Sequence, residues 1–167
     1  MIVAVKYIHL LALVIWIGSI VFFSFIGAPS IFQTVDKKTA GDVVGAIFPK
    51  YYLLGYILSL ISLGTLAFLG AKSGFLFPVK AGLVILAVMA GVTFYSGLVT
   101  APKVNKVKYQ IRAETDDAKL APLRKQFGRL HGISMMLNVA VLCLASSCST
   151  SPSATWDSCK DPFEHHP

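Results

Sequence analysis

Two histidines, His9 and His131, stand inside long apolar stretches of the sequence. Imidazole is the side chain that most often binds metals, and it is a common axial ligand of haem iron. The two residues therefore suggest a haem or copper site, provided that the fold brings both rings to one place. Whether it does depends on the elements that carry them.

A second group of polar residues interrupts the same stretches. Its clearest part is His131, Ser134 and Asn138, whose spacing of i, i+3 and i+7 places them on one face of a helix. In hydrocarbon such a face must turn toward polar partners. The other members are Ser24, Tyr52, Tyr56, Ser96 and Thr100. All of these residues are candidates for binding a small solute or a metal ion.

The elements follow from the composition, which is that of a membrane protein. Of the 167 residues, 55% are apolar and 14% are charged, against about 25% charged in soluble domains. Three stretches without Asp, Glu, Lys or Arg are long enough to cross hydrocarbon, which takes about 20 residues: Tyr7 to Ala28, Tyr51 to Ala71 and Ala81 to Ala101. A fourth, Leu130 to Ala145, is shorter and spans only by thinning the bilayer or by including Ser146 to Ser149.

We therefore predict an all-α fold, an integral membrane four-helix bundle formed by residues 1–147. The predicted helices cover about residues 3–28, 50–71, 78–101 and 122–147. The first and third close with Ala28-Pro29 and Ala101-Pro102. Residues 148–167 are rich in Ser and Pro and predict a disordered tail, in which a Cys148 to Cys159 disulfide or, less favoured, a Cys/His metal site is conceivable.

The connections after the first and third helices predict short amphipathic helices at the membrane interface. Thr39 to Asp42 matches a capping box before an apolar face, and Pro49 ends that segment. In the other connection an apolar stripe lies opposite basic residues; it consists of Leu120, Leu123, Phe127 and Leu130. Small-residue patterns, Gly55 with Ser59 and Ala87 with Gly91, allow close helix packing within the bundle or in a homo-oligomer.

The basic residues predict the orientation. Most of the fifteen Lys and Arg residues lie in the two connections: Lys37, Lys38, Lys50, Lys103, Lys106, Lys108, Arg112, Lys119, Arg124, Lys125 and Arg129. Positive residues favour the cytoplasmic side, so both termini are expected outside, in a plasma or inner membrane. The same charges favour anionic lipid headgroups as partners. No nucleic-acid motif is present, and nucleic acid is not expected as a partner.

The topology separates the two histidines. His9 lies near the start of helix 1 and His131 near the start of helix 4, and these starts are on opposite faces of the membrane. The rings are then on the order of 20 Å apart in depth within a core of about 30 Å. One metal cannot bridge them, and we predict neither a metal site nor a cofactor. His9 is expected beside Thr65 and Cys143, more as a hydrogen-bonded structural group than as a functional one.

Several motifs carry a resemblance to a known family. They are His9 with Leu10-Leu11-Ala12-Leu13, Trp16-Ile17-Gly18, Ala28-Pro29 with Phe32, Phe48-Pro49 with Tyr51-Tyr52, and Phe127 with Leu130-His131-Gly132, Ser134 and Asn138. Together they resemble the transmembrane protein 205-like family of small polytopic proteins, whose molecular function is not established. The family-motif positions are His9, Trp16, Pro29 and Pro49. Helix 1 also looks like the first helix of copper-resistance D-type proteins.

Three function classes remain open. The first is a membrane protein that binds or transports a small solute or metal ion at the polar residues of the inner half of the bundle. The second is a haem- or quinone-linked redox enzyme, and the third is an assembly or trafficking factor without a ligand. The spans contain no pair of ligands at one depth and no nucleophile with its base, which argues against the enzyme. We take binding or transport as the working hypothesis.

Overall fold

The computed structural model describes residues 1–149, and in that range the chain is helical throughout apart from short turns. Four long helices follow one another: α1 (Ile2–Thr34), α2 (Lys37–Ser73), α3 (Phe77–Ala113) and α4 (Asp117–Ser149). Each contains a segment long and apolar enough to cross a membrane. The prediction of an all-α, four-helix membrane protein is confirmed. The predictions for the tail, including the Cys148 to Cys159 disulfide and the Cys/His site, involve residues outside the described range.

The helices alternate in direction because their connections are short. Asp36 begins α2 by accepting hydrogen bonds from the backbone N–H groups of Lys38, at 2.9 Å, and Thr39, at 3.1 Å. The carboxylate thus takes the capping role that the sequence pattern assigned to Thr39. Gly74 ends α2 with a φ of +84°, a left-handed conformation that favours glycine.

The helices continue past the prolines at which the sequence pattern ends them. Residues Phe23–Gly27 and Ser96–Thr100 form π-helical turns, and Pro29 and Pro102 follow in the next α-helical turns. Proline has no N–H to donate and crowds the carbonyl four residues earlier; the wider π turns contain these carbonyls. The amphipathic segments predicted in the connections are therefore continuous with the spanning helices, and α2 likewise runs through Pro49.

Neighbours in sequence pack side by side, α1 on α2, α2 on α3 and α3 on α4, while α4 closes the bundle against α1 over a smaller area. The central core draws on all four helices and is made of Ala12, Trp16, Ile20, Leu58, Leu86, Met89, Ala90 and Val141. Large apolar residues such as Leu10, Val14, Leu60 and Val84 face outward. In water this surface would be costly, whereas in a bilayer lipid tails cover it.

One end of the bundle, formed by the end of α1, the start of α2, the end of α3 and the start of α4, carries most of the basic residues; we call it the basic end, and the opposite end the terminal end. At the basic end Arg112 donates to Asp42 at 2.6 Å and to the Lys38 carbonyl at 3.0 Å. Lys108 donates to the Gly41 carbonyl at 3.3 Å. The hydrogen bond from Arg112 holds the pKa of Asp42 below its usual range. These side chains tie α3 to α2 outside the hydrocarbon.

Candidate functional site

A small cavity lies where the four helices meet, between the centre of the bundle and the basic end. Its volume of about 10 Å³ is room for about one water molecule. The lining comes from all four helices: Trp16, Ser19, Ile20, Tyr51, Tyr52, Gly55, Thr93 and Asn138. Polar groups from all four helices therefore share one site. Of the candidates predicted from the sequence for the inner half of the bundle, Tyr52 and Asn138 line this cavity.

The indole of Trp16 is the most informative group in this site. Its side chain is 1% exposed, and Nε1 has no hydrogen-bond partner within residues 1–149. An indole N–H can only donate, and leaving a buried donor unpaired costs about 1 to 3 kcal/mol. No described residue supplies that acceptor, and the cavity that Trp16 lines has room for a small molecule that does.

The hydroxyls around Trp16 present acceptor oxygens. Ser19 donates to the carbonyl of Trp16 at 2.8 Å, and Thr93 donates to the carbonyl of Met89 at 3.0 Å. Since each hydroxyl has one proton, both oxygens keep lone pairs but no second donor. The amide of Asn138 can both donate and accept. The lining thus suits a small uncharged molecule that accepts one hydrogen bond and donates others.

Tyrosines close the cavity toward the basic end. Tyr52 is buried, its ring packs on those of Phe48 and Tyr51 at 5.8 Å and 5.3 Å, and its hydroxyl lies beside the Ser134 side chain. Ser134 is on α4, one turn away from Asn138. Ser134 and Asn138 are both half-buried on the face of α4 that meets the bundle.

His131 does not join them. Its side chain is exposed and its ring lies parallel to that of Phe127, with centroids 6.3 Å apart. The residue lies one turn nearer the basic end than Ser134, where the helices no longer enclose the α4 face. The helical spacing places His131, Ser134 and Asn138 on one face of α4. It does not show how far along that face the other helices cover it.

The remaining candidates lie in the same layer outside the cavity. Ser96 and Thr100 are buried in the second π turn, with 1% and 3% exposure, and no described residue is a hydrogen-bond partner of Ser96 Oγ. Tyr56 stacks on Phe94 at 4.3 Å. Ser24 is half-buried in the first π turn. Sequence reasoning missed Ser19 and Thr93 and named Trp16 only as a family-motif position; Gly55, which lines the cavity, was found only as part of a packing pattern.

His9, the other histidine of the spans, lies at a different place in the bundle. His9 Nδ1 lies 2.8 Å from Thr65 Oγ1, which confirms Thr65 as its neighbour, whereas Cys143 is exposed. Thr65 lies at the level of His9, and Tyr52 lies at the level of Ser134, one turn from His131. Because Thr65 and Tyr52 are about 20 Å apart along α2 at 1.5 Å per residue, the two histidines are at opposite ends of the bundle. Within residues 1–149, no three His, Cys, Asp or Glu side chains are grouped so as to hold a metal ion.

Comparisons with known proteins find a family without an assigned function. A relative from Aquifex aeolicus (strain VF5), described as an uncharacterized protein, is 36% identical over 135 residues, which are 81% of this chain and 85% of that protein. No solved structure matches. The family profile described as "Domain of unknown function (DUF4149)" matches residues 11–113, which include all cavity residues except Asn138. Neither comparison supports the transmembrane protein 205-like or copper-resistance D-type resemblance. The chain belongs to the family described as Domain of unknown function (DUF4149).

Proposed function

We propose that this polytopic membrane protein binds a small uncharged polar solute in the four-helix cavity and carries it across the membrane. The observation that carries the proposal is the buried Trp16 N–H, which has no partner among the described residues and lines a cavity shared by four helices. A purely structural layer would pair this donor within the protein, because an unpaired buried donor costs stability.

The chemistry of the lining favours an uncharged solute over an ion. Hydroxyl, amide and indole groups line the cavity, and the described lining residues include no carboxylate, ammonium, imidazole or thiolate. An ion in such a low-dielectric site would lack a counter-charge and would lose its hydration. The metal-ion form of the binding hypothesis is therefore the weaker one. The resemblance to the transmembrane protein 205-like family adds no substrate, since that family's function is not established.

The route into the cavity follows the seam between α1 and α4. This seam is the smallest contact between neighbouring helices, and only 6% of the most apolar segment of α4 is buried, against 22% to 33% in the other spans. Trp16 and Ser19 line the cavity from one side of the seam and Asn138 from the other. Movement of α4 would open the cavity toward the basic end by separating Ser134 from Tyr52. We place that end in the cytoplasm on the positive-inside bias.

The test is permeability of vesicles that contain the purified full chain. Stopped-flow light scattering after an osmotic step measures the flux of water, urea and glycerol separately. Gly55→Ala adds a methyl group to the cavity wall, 3.1 Å from Thr93 Cγ2 and 3.7 Å from Trp16 Nε1. Asn138→Leu removes the amide at similar volume. Both variants should reduce the flux of the accepted solute to that of protein-free vesicles.

Two variants are matched controls. Gly64→Ala makes the same substitution in the same helix where nothing lies within 4 Å of the new methyl group, and His131→Ala removes an exposed polar residue of the same face of α4. Both should keep the wild-type flux. Equal flux in Gly55→Ala and Gly64→Ala, with both folded by melting temperature, would contradict the proposal, as would wild-type vesicles no more permeable than empty ones.

A further inference from the structure

The size of the cavity beside Trp16 restricts what it can hold. Its volume of about 10 Å³ is at the lower limit of the roughly 10 to 15 Å³ that a single water molecule needs. One non-hydrogen atom with its hydrogens therefore fills it. Urea and glycerol have several such atoms, and the cavity of the closed bundle has no room for either of them.

Gly55 provides this space next to the indole. A β-carbon at Gly55 would lie 3.7 Å from Trp16 Nε1 and 3.1 Å from Thr93 Cγ2. The indole N–H and the threonine methyl group therefore border the same open space, which glycine leaves free because it has no side chain. An oxygen or nitrogen atom placed there, slightly nearer to the indole, comes within the roughly 2.9 Å of a hydrogen bond from Nε1.

Closely packed aromatic side chains form the cavity wall toward the basic end. The ring centroid of Tyr51 lies 5.4 Å from that of Phe23 and 5.3 Å from that of Tyr52. The centroid of Tyr52 lies 5.8 Å from that of Phe48. Such packing resists enlargement, because moving one ring displaces its neighbours. The size limit therefore applies for as long as the four helices stay closed.

The hydrogen-bonding groups of the lining restrict the occupant further. Trp16 Nε1 needs an acceptor, which no described residue supplies. The hydroxyl groups of Ser19 and Thr93 donate to backbone carbonyls, so the two oxygens can accept from the occupant but cannot donate to it. The occupant must therefore carry both a lone pair and hydrogens. Water and ammonia meet this requirement at the size of the cavity, whereas ammonium has no lone pair and would bring a charge without a counter-charge.

We infer that the solute of the proposed transport is a neutral molecule with a single non-hydrogen atom, water or ammonia. This inference rests on the proposed function and names its substrate class. The molecule accepts a hydrogen bond from the Trp16 N–H with its lone pair and directs its hydrogens to acceptor oxygens of the lining. Size excludes urea and glycerol, and the need for a lone pair excludes ammonium.

The experiment compares vesicles that contain the purified full chain with protein-free vesicles of the same lipid. Stopped-flow light scattering gives the permeability to water with sucrose as the osmolyte, and to urea and glycerol with each as the osmolyte. Alkalinisation of trapped pyranine after addition of ammonium chloride gives the permeability to ammonia. Wild-type protein should raise the permeability to water or to ammonia and leave those to urea and glycerol at the protein-free level. The permeability that rises distinguishes water from ammonia.

Thr93→Ser tests whether the cavity sets the size limit. It removes the methyl group that borders the space at Gly55 and keeps the hydroxyl. The ratio of urea permeability to that of the accepted molecule should rise about tenfold, the lower end of the discrimination that one methylene group gives a binding pocket. Thr65→Ser is the matched control, because Thr65 also donates to a carbonyl of its own helix but lies at the level of His9. That variant should keep the wild-type ratio.

The outcomes separate this inference from the proposed function. Urea or glycerol permeability above the protein-free level in the wild type overturns the size limit and leaves the transport proposal standing. Permeability at the protein-free level for all four molecules overturns both. Equal ratios in Thr93→Ser and Thr65→Ser, with both variants folded by melting temperature, overturn the assignment of the size limit to this cavity.

Discussion

Gly97 of α3 packs against the ring of Tyr52 of α2 so closely that a β-carbon at Gly97 would lie 2.8 Å from Tyr52 Cγ and would overlap the Tyr56 hydroxyl. The Tyr56 side chain can yield at its far end, but Tyr52 Cγ is close to the backbone and is held by three aromatic neighbours. The absence of a side chain at Gly97 thus allows Tyr52 to occupy its position in the cavity wall.

Gly97→Ala should therefore destabilise the bundle. Overpacking of this kind costs about 1 to 3 kcal/mol, and the expected result is a lower melting temperature in detergent. Gly91→Ala in the same helix is the control, since nothing lies within 4 Å of its new methyl group. That variant should be neutral or stabilised by up to about 1 kcal/mol, because alanine favours helix over glycine. Equal melting temperatures for the two variants would show that the tyrosines are not tightly packed on α3.

A second prediction concerns pH and the ion pair between Asp42 and Arg112. The pKa of Asp42 is lowered in the folded protein by the hydrogen bond from Arg112. The ionised Asp42 carboxylate therefore stabilises the fold fully above its ordinary pKa of about 4, and this stabilisation is lost as the pH falls through the folded-state pKa. The melting temperature of Asp42→Asn should fall less on acidification than that of the wild type.

Arg112→Gln tests whether the hydrogen bond from Arg112 causes this acid sensitivity. It removes the hydrogen bond that lowers the pKa, so it should reduce the acid sensitivity as Asp42→Asn does, and the double variant should match either single one. If Arg112→Gln keeps the full acid slope, other carboxylates determine it.

The sequence predicts the spans well because uncharged length is a direct physical requirement of the bilayer. It does not predict that α1 and α3 continue past Pro29 and Pro102, since proline ordinarily ends or kinks a helix and the π turns that accommodate it depend on packing. Tyr52 and Asn138 were predictable from depth and helical face. Trp16 was not, because an indole is mostly apolar, and only the neighbouring helices determine whether its N–H has a partner.

A third prediction concerns α4, the weakest span. Its most apolar segment has a mean hydropathy of 1.5, against 2.0 to 2.5 for the others, and it is the least buried. Leucine at positions 146, 147 and 149 would lengthen the apolar run. The variant with Ser146→Leu, Ser147→Leu and Ser149→Leu should melt at a higher temperature in detergent. An unchanged or lower value would show that the span is already long enough.

A fourth prediction is the orientation expected from the basic residues. Both termini should be outside, because eleven Lys and Arg residues lie at the basic end. In a Cys143→Ala, Cys148→Ala background, Cys159 is the remaining cysteine of the sequence. A membrane-impermeant maleimide should label it in intact cells. Labelling only after permeabilisation would reverse the orientation, and with it the side from which the cavity opens.

The last prediction concerns lipid at the basic end. Lys103, Lys106, Arg124, Lys125 and Arg129 are exposed there, next to the ends of the spans, and no ion pair within the described residues engages them. Anionic headgroups attract basic residues near the membrane surface by about 1 kcal/mol each, and salt screens the attraction. Vesicles with added phosphatidylglycerol should therefore raise the melting temperature above that in phosphatidylcholine alone, and high salt should remove the difference.

Charge position, and not total charge, should determine this effect. Lys103→Gln, Lys106→Gln and Lys125→Gln together should reduce the stabilisation by phosphatidylglycerol. The control variant removes the same number of charges from the terminal end through Lys6→Gln, Lys72→Gln and Lys80→Gln. It should keep more of the stabilisation by phosphatidylglycerol, because the terminal end has few basic residues to concentrate anionic lipid. If the two triple variants respond alike, the lipid senses only net charge. The Lys108 and Arg112 contacts to α2 are left intact in both variants, so a change in lipid response cannot arise from loss of that clamp.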